Sequence, residues 1–152
     1  MKVPVVFMAL IVLLVAGCSS LILKPGNFSW PVESVLKVDS KGMVHDERYS
    51  FSLNVKELLF VETQDSVNVS KVTLRMIRDV RGYYFLTAPK FQNVYVFEQA
   101  EGSLKLSSKI LVSQNGLNDP AFNLRSPNIQ LVNEKDPPIL LSKEGVVEGG
   151  KK

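Results

Sequence analysis

Thiols are nearly absent from this chain: among 152 residues there is one cysteine, Cys18. With no second thiol an intrachain disulfide is excluded, although an exported chain would be allowed one. Histidine is equally scarce. His45 is the only one, so a zinc site of ordinary Cys/His composition is excluded as well. Glycine-rich phosphate loops, EF-hand spacing and internal repeats are missing too. A hydrolase or transferase would need a nucleophile beside a base, or paired carboxylates in a cleft. The candidate base is His45 in Met43-Val44-His45-Asp46-Glu47-Arg48, where it could ligate a metal with Asp46 or Glu47. Next to the Lys41-Gly42 turn it reads instead as a solvated loop histidine, and no enzyme is expected.

Long apolar runs are absent with one exception. Val3 to Ala16 is apolar apart from Pro4, and it follows the single positive charge of Lys2. A membrane-spanning helix needs about 20 apolar residues, so this run is too short to cross. It also lacks the amphipathic periodicity of a half-buried element. A positive n-region, a short apolar core and small residues at its end are the parts of a cleavable export signal. The run closes with Leu14-Val15-Ala16-Gly17-Cys18, which resembles the lipobox of bacterial lipoproteins. The resemblance implies cleavage between Gly17 and Cys18, with the Cys18 thiol diacylglycerated and its new amine acylated. No cofactor is implied beyond this covalent lipid. Two or three acyl chains anchor stably, since each buried methylene contributes about 0.8 kcal/mol. In such lipoproteins an aspartate after the lipid-bearing cysteine resembles an inner-membrane retention signal, and here Ser19 stands at that position. The expected location is therefore the cell envelope, at the outer membrane if the organism has one.

The remaining boundaries come from composition. Residues 18–26 form a lipidated N-terminus and short tether, in which Leu21-Ile22-Leu23 packs on the domain or lies among headgroups. Eight residues of tether reach about 28 Å at most. Residues 27–142 form one domain, and residues 143–152, with Gly145, Gly149, Gly150 and terminal lysines, form a flexible tail. Loss of residues 1–17 removes Lys2 and leaves 17 basic against 15 acidic side chains. That balance offers no reason to expect nucleic acid as a partner.

Within the domain, period-two alternation dominates. Tyr49, Phe51, Leu53 and Val55 alternate with polar residues, as do Leu104, Leu106, Ile110 and Val112. From Val67 to Ile77 the apolar parity slips near Ser70-Lys71, which predicts a β-bulge there or two strands with a break. Asp79-Val80-Arg81-Gly82 predicts a hairpin turn into Tyr83 to Thr87, with Gly82 left-handed. Val94 to Phe97 is apolar on both faces and belongs inside a sheet. Val35 to Val38, Ile129 to Val132 and Ile139 to Leu141 complete the set. Val55 to Glu62 fits a helix or a bent strand. The expected fold is all-β: a small antiparallel sandwich, Ig-like or transthyretin-like, or else a small barrel. Leu74-Arg75 through Phe85, Ala88 and Phe91 resembles the core strands of the type VI secretion lipoprotein. Met76-Ile77 stands where that family has a tyrosine after the arginine, and no function is carried over.

Two surface features are candidates for recognition. Arg75, Arg78 and Arg81 cluster around the predicted hairpin, with Arg78 and Arg81 expected at an exposed tip. They suit a partner surface, because a planar guanidinium binds carboxylates bidentately and stacks on aromatic rings. Tyr83, Tyr84, Phe85, Phe91, Tyr95 and Phe97 place six aromatics in fifteen residues, as a core or as a carbohydrate platform. The expected role is a non-catalytic, membrane-anchored envelope lipoprotein that docks onto a protein assembly. Binding of a glycan or small apolar ligand is the alternative, and an envelope enzyme using His45 comes third.

Overall fold

The computed structural model describes residues 32–64 and 69–147. The expected signal, the Cys18 anchor, the tether through Gly26, Val67 and residues 148–152 lie outside the described residues. Eleven strands are described: β1 (Ser34–Lys37), β2 (Met43–Asp46), β3 (Phe51–Asn54), β4 (Thr73–Arg78), β5 (Tyr84–Thr87), β6 (Asn93–Ala100), β7 (Ser103–Leu111), β8 (Pro120–Arg125), β9 (Asn128–Asn133), β10 (Ile139–Ser142) and β11 (Gly145–Val146). One helix, α1 (Lys56–Thr63), follows β3. A five-stranded antiparallel sheet runs in the order β1-β4-β5-β6-β7, a four-stranded sheet in the order β11-β10-β9-β8, and β2 pairs with β3. The fold is therefore an all-β sandwich, and among the described residues no barrel closes.

Strand alternation sorts the side chains into two cores on opposite faces of the five-stranded sheet. Ile77, Phe85, Val94, Val96 and Ile110 face the four-stranded sheet and pack on Phe122, Ile129, Leu131 and Leu141. Leu74, Met76, Tyr84, Leu86 and Tyr95 face the other way and pack on Val44, Val55 and Leu59 from the β2–β3 pair and α1. Burial on both faces explains why Val94 to Phe97 has no polar alternation. At the ambiguous Val55 to Glu62 segment the helix wins. Asn54 Oδ1 accepts the Lys56 N–H at 3.1 Å, and Leu59 is driven fully into the core.

Four expectations need correction. The bulge is not at Ser70-Lys71, where Val69–Lys71 instead forms one 3-10 turn leading into β4. It lies in β7: Val96 stands opposite Ser108 but Phe97 stands opposite Leu106, which leaves Ser107 over. Leu104 and Leu106 thus fall on one face of the sheet and Ile110 on the other, although their spacing suggests a common face. His45 is not in a loop but on β2, opposite Ser52 of β3. The tail does not begin at Lys143: Gly145–Val146 pairs with β10, and the Val147 N–H donates to Leu140 O at 2.8 Å. Three strands went unanticipated: β2 and β11, which fall in the expected loop and tail, and β8, where Asn123 and Arg125 dilute the apolar pattern.

Candidate interaction surface

The outer edge of β1 sets the geometry of this surface. The Val38 N–H donates to Val72 O, so position 38 bonds towards β4. With a period of two, Leu36 and Ser34 also bond inward, and the backbone groups of Val35 and Lys37 point away from the sheet. The chain then turns at residues 39–43, where Asp39 Oδ1 accepts the Lys41 and Met43 N–H groups, each at 2.8 Å. Asp39 N donates to Met43 O, after which β2 leaves β1 and pairs with β3 in the outer layer. The two strands splay apart. Between them lies an open groove of about 870 Å³, lined by residues 33–37 and 45–48.

Most charged groups of the groove are engaged within the fold. Glu33 accepts the Phe122 N–H at 2.8 Å and pairs with Arg75 at 3.2 Å, which ties the chain ahead of β1 to both sheets. Burial pushes its carboxyl above the usual carboxylate range, against the opposing pull of the Phe122 N–H and Arg75. Asp46 is buried and accepts the Tyr49 N–H at 2.8 Å. Arg48 donates to Val32 O. His45 Nδ1 lies 2.9 Å from Ser52 Oγ, so its ring is oriented by a hydroxyl and not by a carboxylate.

The three arginines do not form one cluster. Arg75 faces the four-stranded sheet, held by Glu33 and, at 3.5 Å, by Asp119. Arg81 pairs with Asp79, whose buried carboxylate also accepts the Arg81 and Tyr83 N–H groups at 2.9 Å and so shapes the turn. Arg78 projects to the opposite face, with its guanidinium 5.4 Å from the centre of the Tyr84 ring. Of the six aromatics, Tyr84, Phe85, Phe91 and Tyr95 are buried, so that cluster is mostly core. Tyr49 and Phe51, outside that cluster, stack on each other at 6.2 Å, and both meet Tyr84 edge-on.

Sequence reasoning missed two further features. Glu62, with a side chain 2% exposed, accepts hydrogen bonds from Gln92 N (2.8 Å), Asn93 Nδ2 (2.7 Å) and the Tyr95 hydroxyl, with Lys109 Nζ at 3.8 Å. No local signal reveals it, because its partners lie at least thirty residues away. A cavity of about 330 Å³ opens at the end of the inter-sheet core, with Val112, Leu117, Leu131 and Ile139 beside Asn133 and Asp136. Among the described residues no three His, Cys, Asp or Glu side chains converge as a metal site, and no helix is long and apolar enough to cross a membrane. Neither a protein-family model, nor a curated protein, nor a solved structure matches the chain.

Proposed function

We propose that this chain is a lipid-anchored, non-catalytic module of the bacterial cell envelope, and that it docks onto a protein assembly along the open edge of β1. The observation that carries this reading is the pair of outward backbone positions, Val35 and Lys37, facing a groove formed where β2 leaves the sheet. Unpaired N–H and C=O groups on a sheet edge repeat with the spacing of a polypeptide backbone, so an extended segment is their natural complement. Val35 is 51% exposed and offers an apolar contact beside them. The lipobox-like run Leu14 to Cys18 supports anchoring, with the domain held close to its membrane by the short tether. A photo-crosslinking residue at Val35, used in living cells with mass spectrometry, should recover a discrete protein neighbour. The same probe at Asn123, on an exposed position of β8, should not. Equal recovery at both positions, or none at Val35, rejects the edge as the docking surface.

The cavity beside Leu117 and Leu131 favours a second reading, binding of a small apolar ligand. Its volume falls at the lower end of ligand pockets, and its apolar lining carries a few polar groups. Saturable fluorescence of an anilinonaphthalene dye that disappears in Leu117→Trp supports this reading. Dye fluorescence indifferent to that substitution removes it.

A further inference from the structure

We propose that Arg78, set against Tyr84 with Tyr49 nearby, receives a carboxylate carried at the end of the extended segment that adds to β1. The inference rests on the docking reading above and names the chemistry of the partner. Five arginines lie among the described residues. Arg75 and Arg81 pair with carboxylates, Arg48 donates to Val32 O, and Arg125 donates to Gln130 at 3.2 Å. Arg78 alone has neither a hydrogen bond nor an ion pair, and its Nε is covered without any acceptor. A guanidinium is a planar fork of donors matched to a carboxylate, and it tolerates an aromatic ring against its face. Arg78 already has that ring in Tyr84. It is also confined from the side, since a Cβ at Gly82 would come within 3.2 Å of its Nη2. The fork is therefore oriented before any partner arrives, which reduces the ordering cost of binding.

The surroundings favour an anion. Both Arg48 and Arg78 act on Tyr49, against one nearby carboxylate, Asp46, which is turned to the Tyr49 N–H. The neighbouring Asp79 is engaged with Arg81. The position fits the edge of β1 as well. Ser34, the first residue of β1, stands opposite Met76, and Arg78 two residues on is the last residue of β4, so the Arg78 end of β4 runs past the start of β1. Arg48 caps the Val32 carbonyl at that same end. The N-terminal end of β1 thus carries Arg48 on the Val32 carbonyl, with Arg78 at the last position of the neighbouring strand β4 and the half-buried Tyr49 acted on by both guanidinium groups.

The test uses the full chain in detergent and two synthetic peptides of alternating valine and threonine that end in an amidated glutamate or glutamine. The glutamate peptide should shift the Arg78 Nε–H signal in NMR saturably and bind at least about tenfold tighter than its glutamine twin. Arg78→Lys, which keeps the charge and loses the fork, should abolish that difference while far-ultraviolet circular dichroism stays unchanged. In cells, the Val35 crosslink should fall about tenfold in the Arg78→Lys background. Equal affinity of the two peptides, no movement of the Arg78 signal, or a Val35 crosslink unaffected by Arg78→Lys overturns the carboxylate receptor and leaves edge docking intact. A stronger response of Arg78 to an oligogalacturonate than to the glutamate peptide overturns it in favour of an acidic glycan.

Discussion

Glu62 shows at the scale of one residue how a β-domain tolerates a buried charge. Its carboxylate accepts three hydrogen bonds from Gln92, Asn93 and Tyr95 and so fastens the end of α1 to the start of β6. Removing one partner of such a network leaves the others desolvated and unmatched. Glu62→Ala should therefore cost about 3 kcal/mol, read as a lower urea midpoint with an unchanged slope. Tyr95 makes the same network sensitive to alkali. Burial first, then its hydrogen bond to Glu62 and the Glu62 charge, hold its hydroxyl well above the usual tyrosine range. The unfolded chain releases that proton near the ordinary value of about 10, while the folded state keeps it. Stability must then fall as the pH rises from about 10 upward. Urea midpoints measured from about pH 9 to 11.5 should decline, and Tyr95→Phe should flatten the decline. An identical slope in the variant assigns the alkaline loss to other groups, with Tyr49, also raised by burial, the first to examine.

Elements were legible where their pattern is local. β1, β6, β9 and β10 emerge from apolar runs and turn residues, and the β4–β5 hairpin closes at Gly82 with φ +98° as its sequence predicts. The bulge in β7 was not legible. One extra residue at Ser107 inverts the parity of the rest of the strand, and only pairing with β6 tells a bulged strand from a continuous one. Turn chemistry at Gly116 also depends on a distant contact. Its φ is +82°, and a Cβ there would lie 2.8 Å from the carbonyl oxygen of Lys90, on backbone that pairs with Leu117. Gly102 has φ +64° but open space around it. Gly102→Ala should cost about 1 kcal/mol, the strain of a left-handed alanine alone. Gly116→Ala should cost about 3 kcal/mol, because backbone must move as well. Thermal unfolding of the pair checks the order, and equal losses would mean that the Lys90 carbonyl yields freely.

At the scale of the whole molecule, strands β4, β5 and β6 contribute to both cores, since successive residues such as Met76 and Ile77 face opposite layers. Neither layer has a folded surface to pack on without that sheet. Leu59→Ala in the outer-layer core and Leu131→Ala in the inter-sheet core remove fully buried side chains, and each should cost about 3 kcal/mol. Both variants should unfold in one transition, coincident by near- and far-ultraviolet circular dichroism. A biphasic curve for either would show that the layers melt separately. The proposed anchor also acts on the whole molecule. Cys18→Ala should abolish labelling by a palmitate analogue and cleavage after Gly17. An unlabelled wild-type chain cleaved elsewhere would make the leader an ordinary secretory one.

Sequence alone determined the all-β class, most strand positions and the expectation of a lipid anchor, because alternation, turn residues and a short apolar leader are written within a few neighbouring positions. The lipobox resemblance rests entirely on that local record. Tertiary structure decided what the arginines do. Arg75, Arg78 and Arg81 are three residues apart in turn, yet strand parity sends Arg75 and Arg78 to opposite faces; Asp79 is a local partner of Arg81, but only folding brings Glu33 to Arg75. It also decided that Glu62 is buried and that Lys143 lies in the turn between β10 and β11. That no strand among the described residues covers the outer edge of β1 was its decision too. Whether a strand is an edge depends on how many neighbours the sheet supplies, and no single segment carries that count.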